Sequence, residues 1–121
     1  MVAITTYRCA VCGFNVSIGQ IVVALDAAHI KWHQAGGPDI HENGLALCSL
    51  HHRLFDRGAF TLDPHHLVLV SERAYGTGGF DEQLGRYHRR PIIKPVRESY
   101  RPRIDFLNWH VHQVFLSPER E

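Results

Sequence analysis

The residues able to do chemistry are concentrated in the first half of the chain: Cys9-x-x-Cys12, His29, Asn43, Cys48-x-x-His51-His52 and Asp56. Zinc in structural sites takes four thiolate or imidazole ligands, commonly as two closely spaced pairs. Cys9 with Cys12 and Cys48 with His51 are two such pairs, and they use every cysteine in the chain. Joining them closes a loop over residues 13–47, so a Zn²⁺ ion would replace apolar core that a 121-residue chain is short of. Four protein ligands leave no position for water, so this metal is expected to be structural.

The remaining residues suit hydrolysis. His29 follows a β-branched run, and an imidazole at a strand end can face a groove and take a proton from water at neutral pH. His52 lies one position beyond His51. Successive helical residues point about 100° apart, so one histidine can turn to the zinc while the other faces the groove. Asp56 stands at i+4 from His52, where imidazole and carboxylate can grip one catalytic Mg²⁺ or Mn²⁺ ion. Arg53 and Arg57 flank that face and can hold phosphate oxygens. Asn43, just before Gly44, has an amide able to bond backbone groups and hold a loop near His29; a plain Asn-Gly turn residue is the other reading.

The elements that must position these groups follow from pattern. Tyr7 to Phe14 reads as a knuckle, with Gly13 after the second thiolate. Ile21-Val22-Val23-Ala24-Leu25 reads as a strand continuing toward His29, and Leu45-Ala46-Leu47 as a second one. Gly36-Gly37-Pro38-Asp39 is turn chemistry inside a loop from Lys31 to Glu42. Ser49 is expected to cap a helix from Leu50 to about Arg57, ended by a left-handed Gly58. Ala59–Leu62 and Leu67–Val70 flank Asp63-Pro64-His65-His66 as a hairpin. Phe80 to Tyr87 suits a short helix, and residues 91–102, with three prolines, an extended segment. Ile104, Leu107, Val111 and Val114 share one helical face, which predicts a last helix packed on the core. His65, His66, His110 and His112 read as structural or exposed, and Trp109 and Phe115 as packing residues.

Composition is that of an ordinary globular chain, with no apolar run approaching the ~18 residues of a membrane span. The start, Met1-Val2 to Arg8, has no export signal, which predicts a cytoplasmic protein that does not touch membranes. The formal charge is only +1, yet Arg86, Arg89, Arg90, Lys94, Arg97, Arg101 and Arg103 face Glu98 alone in their segment. Such a strip is either a solvated face or, with Tyr87, His88 and Tyr100 interleaved, a phosphate-facing one.

At these residues the chain resembles the HNH nucleases, whose ββα-metal core has a base histidine, a central asparagine and a metal-binding histidine. Those positions match His29, Asn43 and His52, set in Ala27-Ala28-His29-Ile30, Asn43-Gly44-Leu45-Ala46-Leu47-Cys48-Ser49-Leu50-His51-His52 and Leu54-Phe55-Asp56. The text is similar to the nuclease domain of modification-dependent restriction endonucleases, over about residues 7–70. Two departures are visible. Ala28 stands where many members have a metal ligand directly before the base, leaving the ion to His52 and Asp56, with Asp26 as a further helper. His51 stands where a cysteine is usual among the zinc ligands.

The expectation is therefore one α+β domain over residues 1–121. It has a zinc-stapled ββα-metal core (about 7–58) and a C-terminal hairpin and helix (about 59–121). It would act as a metal-dependent endonuclease on double-stranded DNA, the cleavage module of a restriction-type system for modified DNA. Specificity would come from another domain or subunit, and a homodimer would permit double-strand cleavage. The resemblance implies 5′-phosphate and 3′-hydroxyl ends. The alternative is a zinc-stabilised DNA-binding module without catalysis.

Overall fold

In the computed structural model residues 8–121 are described; Tyr7, the expected start of the knuckle, lies outside them. The β-branched run does not form one continuous strand. Ala24 adopts a left-handed φ of 56°, which divides it into β2 (Ile21–Val23) and β3 (Leu25–His29). The first piece pairs back on β1 (Val16–Ile18) in an exposed hairpin, while β3 pairs antiparallel with β4 (Gly44–Cys48). The register Leu25↔Cys48 to His29↔Gly44 puts a zinc-ligand candidate at one end of the ladder and the candidate base at the other. β4 is buried at all five positions, because the knuckle lies against it, with Ala10 N–H bonded to the Ala46 carbonyl at 2.8 Å, and α1 and β3 also pack on it.

Helix α1 runs Ser49–Asp56. Its N-cap is Cys48 rather than the expected Ser49: the Cys48 Sγ accepts from the His51 backbone N–H at 3.5 Å, so a metal-ligand candidate also serves as the cap. Ser49 is instead the first helical residue, and its N–H is taken by the Ala24 carbonyl. Gly58 closes the helix in the left-handed region, φ 80°, and a Cβ there would come within 2.2 Å of the Val114 carbonyl. Only glycine satisfies both constraints.

The hairpin of β5 (Phe60–Leu62) and β6 (Val68–Val70) forms as expected, its turn tied by Asp63 Oδ1 accepting from His65 and Leu67 N–H. The 80–87 segment is one turn of α-helix, α2 (Phe80–Gln83), followed by a 3-10 turn over Gly85–Tyr87. The proline-rich stretch is extended apart from a 3-10 turn at Glu98–Tyr100. Helix α3 (Ile104–Gln113) packs on β5, but through Phe106, Leu107 and His110. Ile104 is exposed and Val111 half-buried, so the apolar-only pattern misplaced the buried face: the residue that completes it is a histidine. One buried cluster, from Cys9 and Ala10 through Leu47, Phe55, Phe60 and Val70 to Phe106 and Leu107, joins the ββα core to the C-terminal segments.

His110 belongs to that cluster as a satisfied core histidine. A carbonyl only accepts, so its Nε2 carries the proton to Phe55 O (3.0 Å) and its Nδ1 accepts from the Thr61 hydroxyl (2.8 Å). The ring stacks on Phe55 at 3.8 Å, and burial pushes its pKa down to about 4.

Candidate active site

The four zinc-ligand candidates converge. Cys9, Cys12, Cys48 and His51 bring one ligand atom each within 4.8 Å of one another. Cys12 and Cys48 Sγ stand 3.9 Å apart, and His51 Nδ1 lies 3.7 Å from Cys9 Sγ and 3.2 Å from Cys48 Sγ. Zn–S bonds of about 2.3 Å give a tetrahedron with edges of about 3.8 Å, so these spacings suit the ion, and they are far too long for a disulfide. The three thiols are free. His51 Nε2 donates to the Gln83 carbonyl at 2.6 Å, which leaves Nδ1 as the ligand atom and makes α2 the outer support of the site. Burial raises Cys12 to about 12 and also raises Cys48. Burial opposes Cys9 too, but the His51 ring and backbone N–H groups outweigh it and bring that thiol down to about 6. One thiolate is thus easily formed and three together are not, unless a divalent cation compensates them. The donor set fits zinc.

The adjacent histidines divide as their 100° separation requires. His51 is buried at the cluster, whereas His52 lines an open groove of about 480 Å³. The groove is walled by Ala27 and His29 of β3, by Trp32, His33 and Gln34 of the following loop, and by His52 and Asp56 of α1 with Arg57 at its C-cap. The candidate base and the candidate metal ligand therefore share one cavity. Arg57 lines it, and Arg53, expected beside it, is exposed outside the lining.

His52 is held between two carboxylates, Nδ1 to Asp26 Oδ2 at 2.8 Å and Nε2 to Asp56 Oδ2 at 3.2 Å. The bond to Asp56, with that to Asp26 behind it, raises the His52 pKa to about 9 against partial desolvation. Two carboxylates around a ring that holds a proton make a place for positive charge. A divalent cation would replace the proton on one ring nitrogen and take the carboxylate on that side, Asp56 at Nε2 or Asp26 at Nδ1. Asp26, two residues before Ala28 on the same strand, supplies the acidic group that Ala28 does not: Ala28 is buried at 1 % exposure.

Asn43 is fully buried and ties both ends of the loop. Its Oδ1 accepts from Lys31 N–H (2.8 Å), and its Nδ2 donates to the Lys31 and Pro38 carbonyls (3.0 Å each). The Ile30 N–H adds a bond to the Asn43 carbonyl, so the residue after His29 is fixed as well. Gly37 makes this closure possible, since a Cβ there would meet the Lys31 carbonyl at 1.8 Å. The closed loop delivers Asp39 to His29, Oδ1 to Nε2 at 2.6 Å. Sequence reasoning missed Asp39 and His33, along with Trp32 and Gln34. The one signal for Asp39 was the Gly-Gly-Pro turn directly before it, and its return to His29 needs the Asn43 tie.

The basic strip is less open than its sequence suggests. Arg89, Arg101 and Arg103 pair with Glu119, Glu98 and Asp105, and the aromatics are used internally: Tyr100 stacks on His41 and Tyr87 packs edge-on against His51. Arg86, Arg90 and Lys94 are exposed without ion pairs among the described residues. Trp109 packs edge-on against Trp32 as a packing residue.

A Cys/His cluster braces a ββα unit, and two histidines face each other across a groove, in a small α+β domain. Residues 9–63 match the model of the HNH endonuclease family. Among solved structures, the chain is similar to the modification dependent TagI restriction endonuclease, with a TM-score of 0.60 and 26% identity over 89% of this chain. It spans 33% of that protein's length. No curated protein sequence matches it. No helix among the described residues is long and apolar enough to cross a membrane.

Proposed function

We propose that the chain is a metal-dependent endonuclease that hydrolyses phosphodiester bonds in double-stranded DNA. The observation that carries this reading is the shared groove: His29 on a strand tip and His52 on a helix face one cavity of about 480 Å³. Asp39 accepts the Nε2 proton of His29 and so leaves the Nδ1 lone pair available to take a proton from the attacking water. His52 and Asp56 would hold an Mg²⁺ or Mn²⁺ ion, which supplies charge neutralisation at the phosphate and the leaving 3′ oxygen, with Asp26 bracing the other ring nitrogen of His52. Arg57, at the C-cap of that helix and in the groove lining, would meet a phosphate oxygen. Asn43 keeps the loop closed and holds His29 in place. Products with 5′-phosphate and 3′-hydroxyl ends follow from in-line attack with departure of the 3′ oxygen.

The similarity to a modification dependent restriction enzyme three times as long supports a role as the cleavage module of such a system, acting on modified DNA. Specificity then comes from another domain or subunit. Consistent with this, the formal net charge is only +1, which favours weak, salt-sensitive DNA contact. The test is nicking of supercoiled plasmid with and without Mn²⁺. Conversion to open circle that requires the ion and is lost in His29→Ala is the expected result. A gel shift without any nicking would instead make the chain a zinc-stabilised binding module.

A further inference from the structure

Among the described residues, metal-ligand atoms converge at a second place besides the cysteine cluster: His29, His33 and Asp39 lie within 4.8 Å of one another, ring to ring to carboxylate. The geometry points to an inhibitory zinc site built on the base itself, in which His29 Nε2, His33 and Asp39 bind a Zn²⁺ ion and switch the groove off. The inference deepens the nuclease reading and rests on His29 as the base.

The chemistry suits zinc. Two imidazoles and one carboxylate are borderline donors that transition ions take over Mg²⁺, and three protein ligands leave one position for water. Zn–N and Zn–O bonds of about 2.0–2.1 Å need ligand atoms about 3.4 Å apart. His29 Nε2 and Asp39 Oδ1, now at 2.6 Å around a proton, must part slightly. His33 must swing in from a ring-centroid distance of 6.2 Å, and it is exposed, at the first residue of a 3-10 turn. The loop that carries both partners is already closed by Asn43, so most of the ordering cost of the site is met before any ion arrives.

Inhibition follows from the proton count on one ring. With Nε2–H donated to Asp39, neutral His29 has its lone pair on Nδ1, where a water proton can go. A zinc ion on Nε2 takes that nitrogen's lone pair, and the ring's single proton must then sit on Nδ1. No proton is gained or lost overall, yet Nδ1 changes from acceptor to donor and the base is gone. This site is separate from the His52, Asp26 and Asp56 donors across the groove.

The experiment uses the full chain with its cysteine site preloaded with one zinc equivalent, and has two arms. In plasmid nicking at saturating Mg²⁺, added Zn²⁺ should stop cleavage. A tenfold increase in Mg²⁺ should leave the half-inhibiting zinc concentration unchanged, and His33→Ala should raise it at least tenfold, with inhibition read against each protein's own zinc-free nicking rate. Relief by Mg²⁺ would put the inhibiting ion on His52 and Asp56 and overturn the inference, as would an unchanged inhibition point in His33→Ala. The second arm, calorimetric titration with Zn²⁺ alone, reads no activity. One binding equivalent should vanish in His33→Ala and persist in Asp56→Asn. If that equivalent is found in a protein that never nicks, the site stands and the nuclease reading falls. If the protein nicks but the equivalent is absent, the site falls alone.

Discussion

Two metal-ligand regions, built from adjacent residues of one helix, are opposite in character. The Cys9, Cys12, Cys48 and His51 cluster is mostly buried, uses four protein donors and is braced by the Gln83 carbonyl. The groove around His29 and His52 is open, its donors are carboxylates and imidazoles, and at least one ring there is held protonated by its neighbours. A closed set of soft ligands suits an ion that staples the fold, and it has no room for substrate. An open set with exchangeable protons can hold an ion that meets a phosphate. The contrast between His51 and His52 arises from 100° of helix rotation, which turns one ring to the buried cluster and the other to the groove.

The strongest way to break this comparison is to attack the closed region. Cys48→Ala, or chelation of the metal, should remove most of the folding stability. Structural zinc in small domains contributes about 10 kcal/mol or more, and Cys48 is also the cap of α1. Loss of the cooperative thermal transition together with zinc content checks this; a variant that stays folded and metal-free would show that the cluster is not the staple.

The open region should respond in the opposite sense. His29→Ala is expected to reduce nicking by about 10²–10⁴-fold with a thermal midpoint within a few degrees of the parent. A large fall in stability would erase the distinction between the two regions.

A third test sharpens how far the core extends beyond both. His110 titrates near 6.5 when unfolded and at about 4 when folded, so its burial as a neutral ring favours folding fully above pH 6.5. That contribution is lost as pH falls from 6.5 to 4, up to about 3 kcal/mol. His52 shifts the other way, so the comparison is between the parent and His110→Gln: denaturant unfolding across pH 7 to 4.5 should show a shallower decline in the variant, and equal slopes would remove His110 from the account.

The smallest effect is expected at the joint. Asn43→Ala deletes three hydrogen bonds at a buried position and should cost about 1–3 kcal/mol while lowering nicking through loss of the loop. Unchanged activity would mean that His29 needs no help from Asn43.

Much of the ββα core was legible because its signals are local. Ligand spacing marked the two halves of the knuckle, and the i, i+4 relation put Asp56 beside His52. The helix stop at Gly58 and the 59–70 hairpin were also readable from turn chemistry. Where the reading failed, a distant contact had overridden a local one. Cys48 displaced Ser49 as the cap because its sulfur is held at the cluster, where the His51 N–H reaches it. His110 replaced an aliphatic residue in the buried face of α3 because Thr61 and Phe55 satisfy both of its nitrogens.

The amino-acid order by itself determined the donor types, their pairing along the chain and the helical phase that separates His51 from His52, since these depend on covalent spacing and backbone geometry. Only the tertiary structure decided that Asp26 reaches from its strand to His52 on the helix, that Asp39 returns to His29, and that Gln83 orients His51. Each of those contacts joins segments 10–32 residues apart, and no local rule fixes where a folded chain brings such segments together.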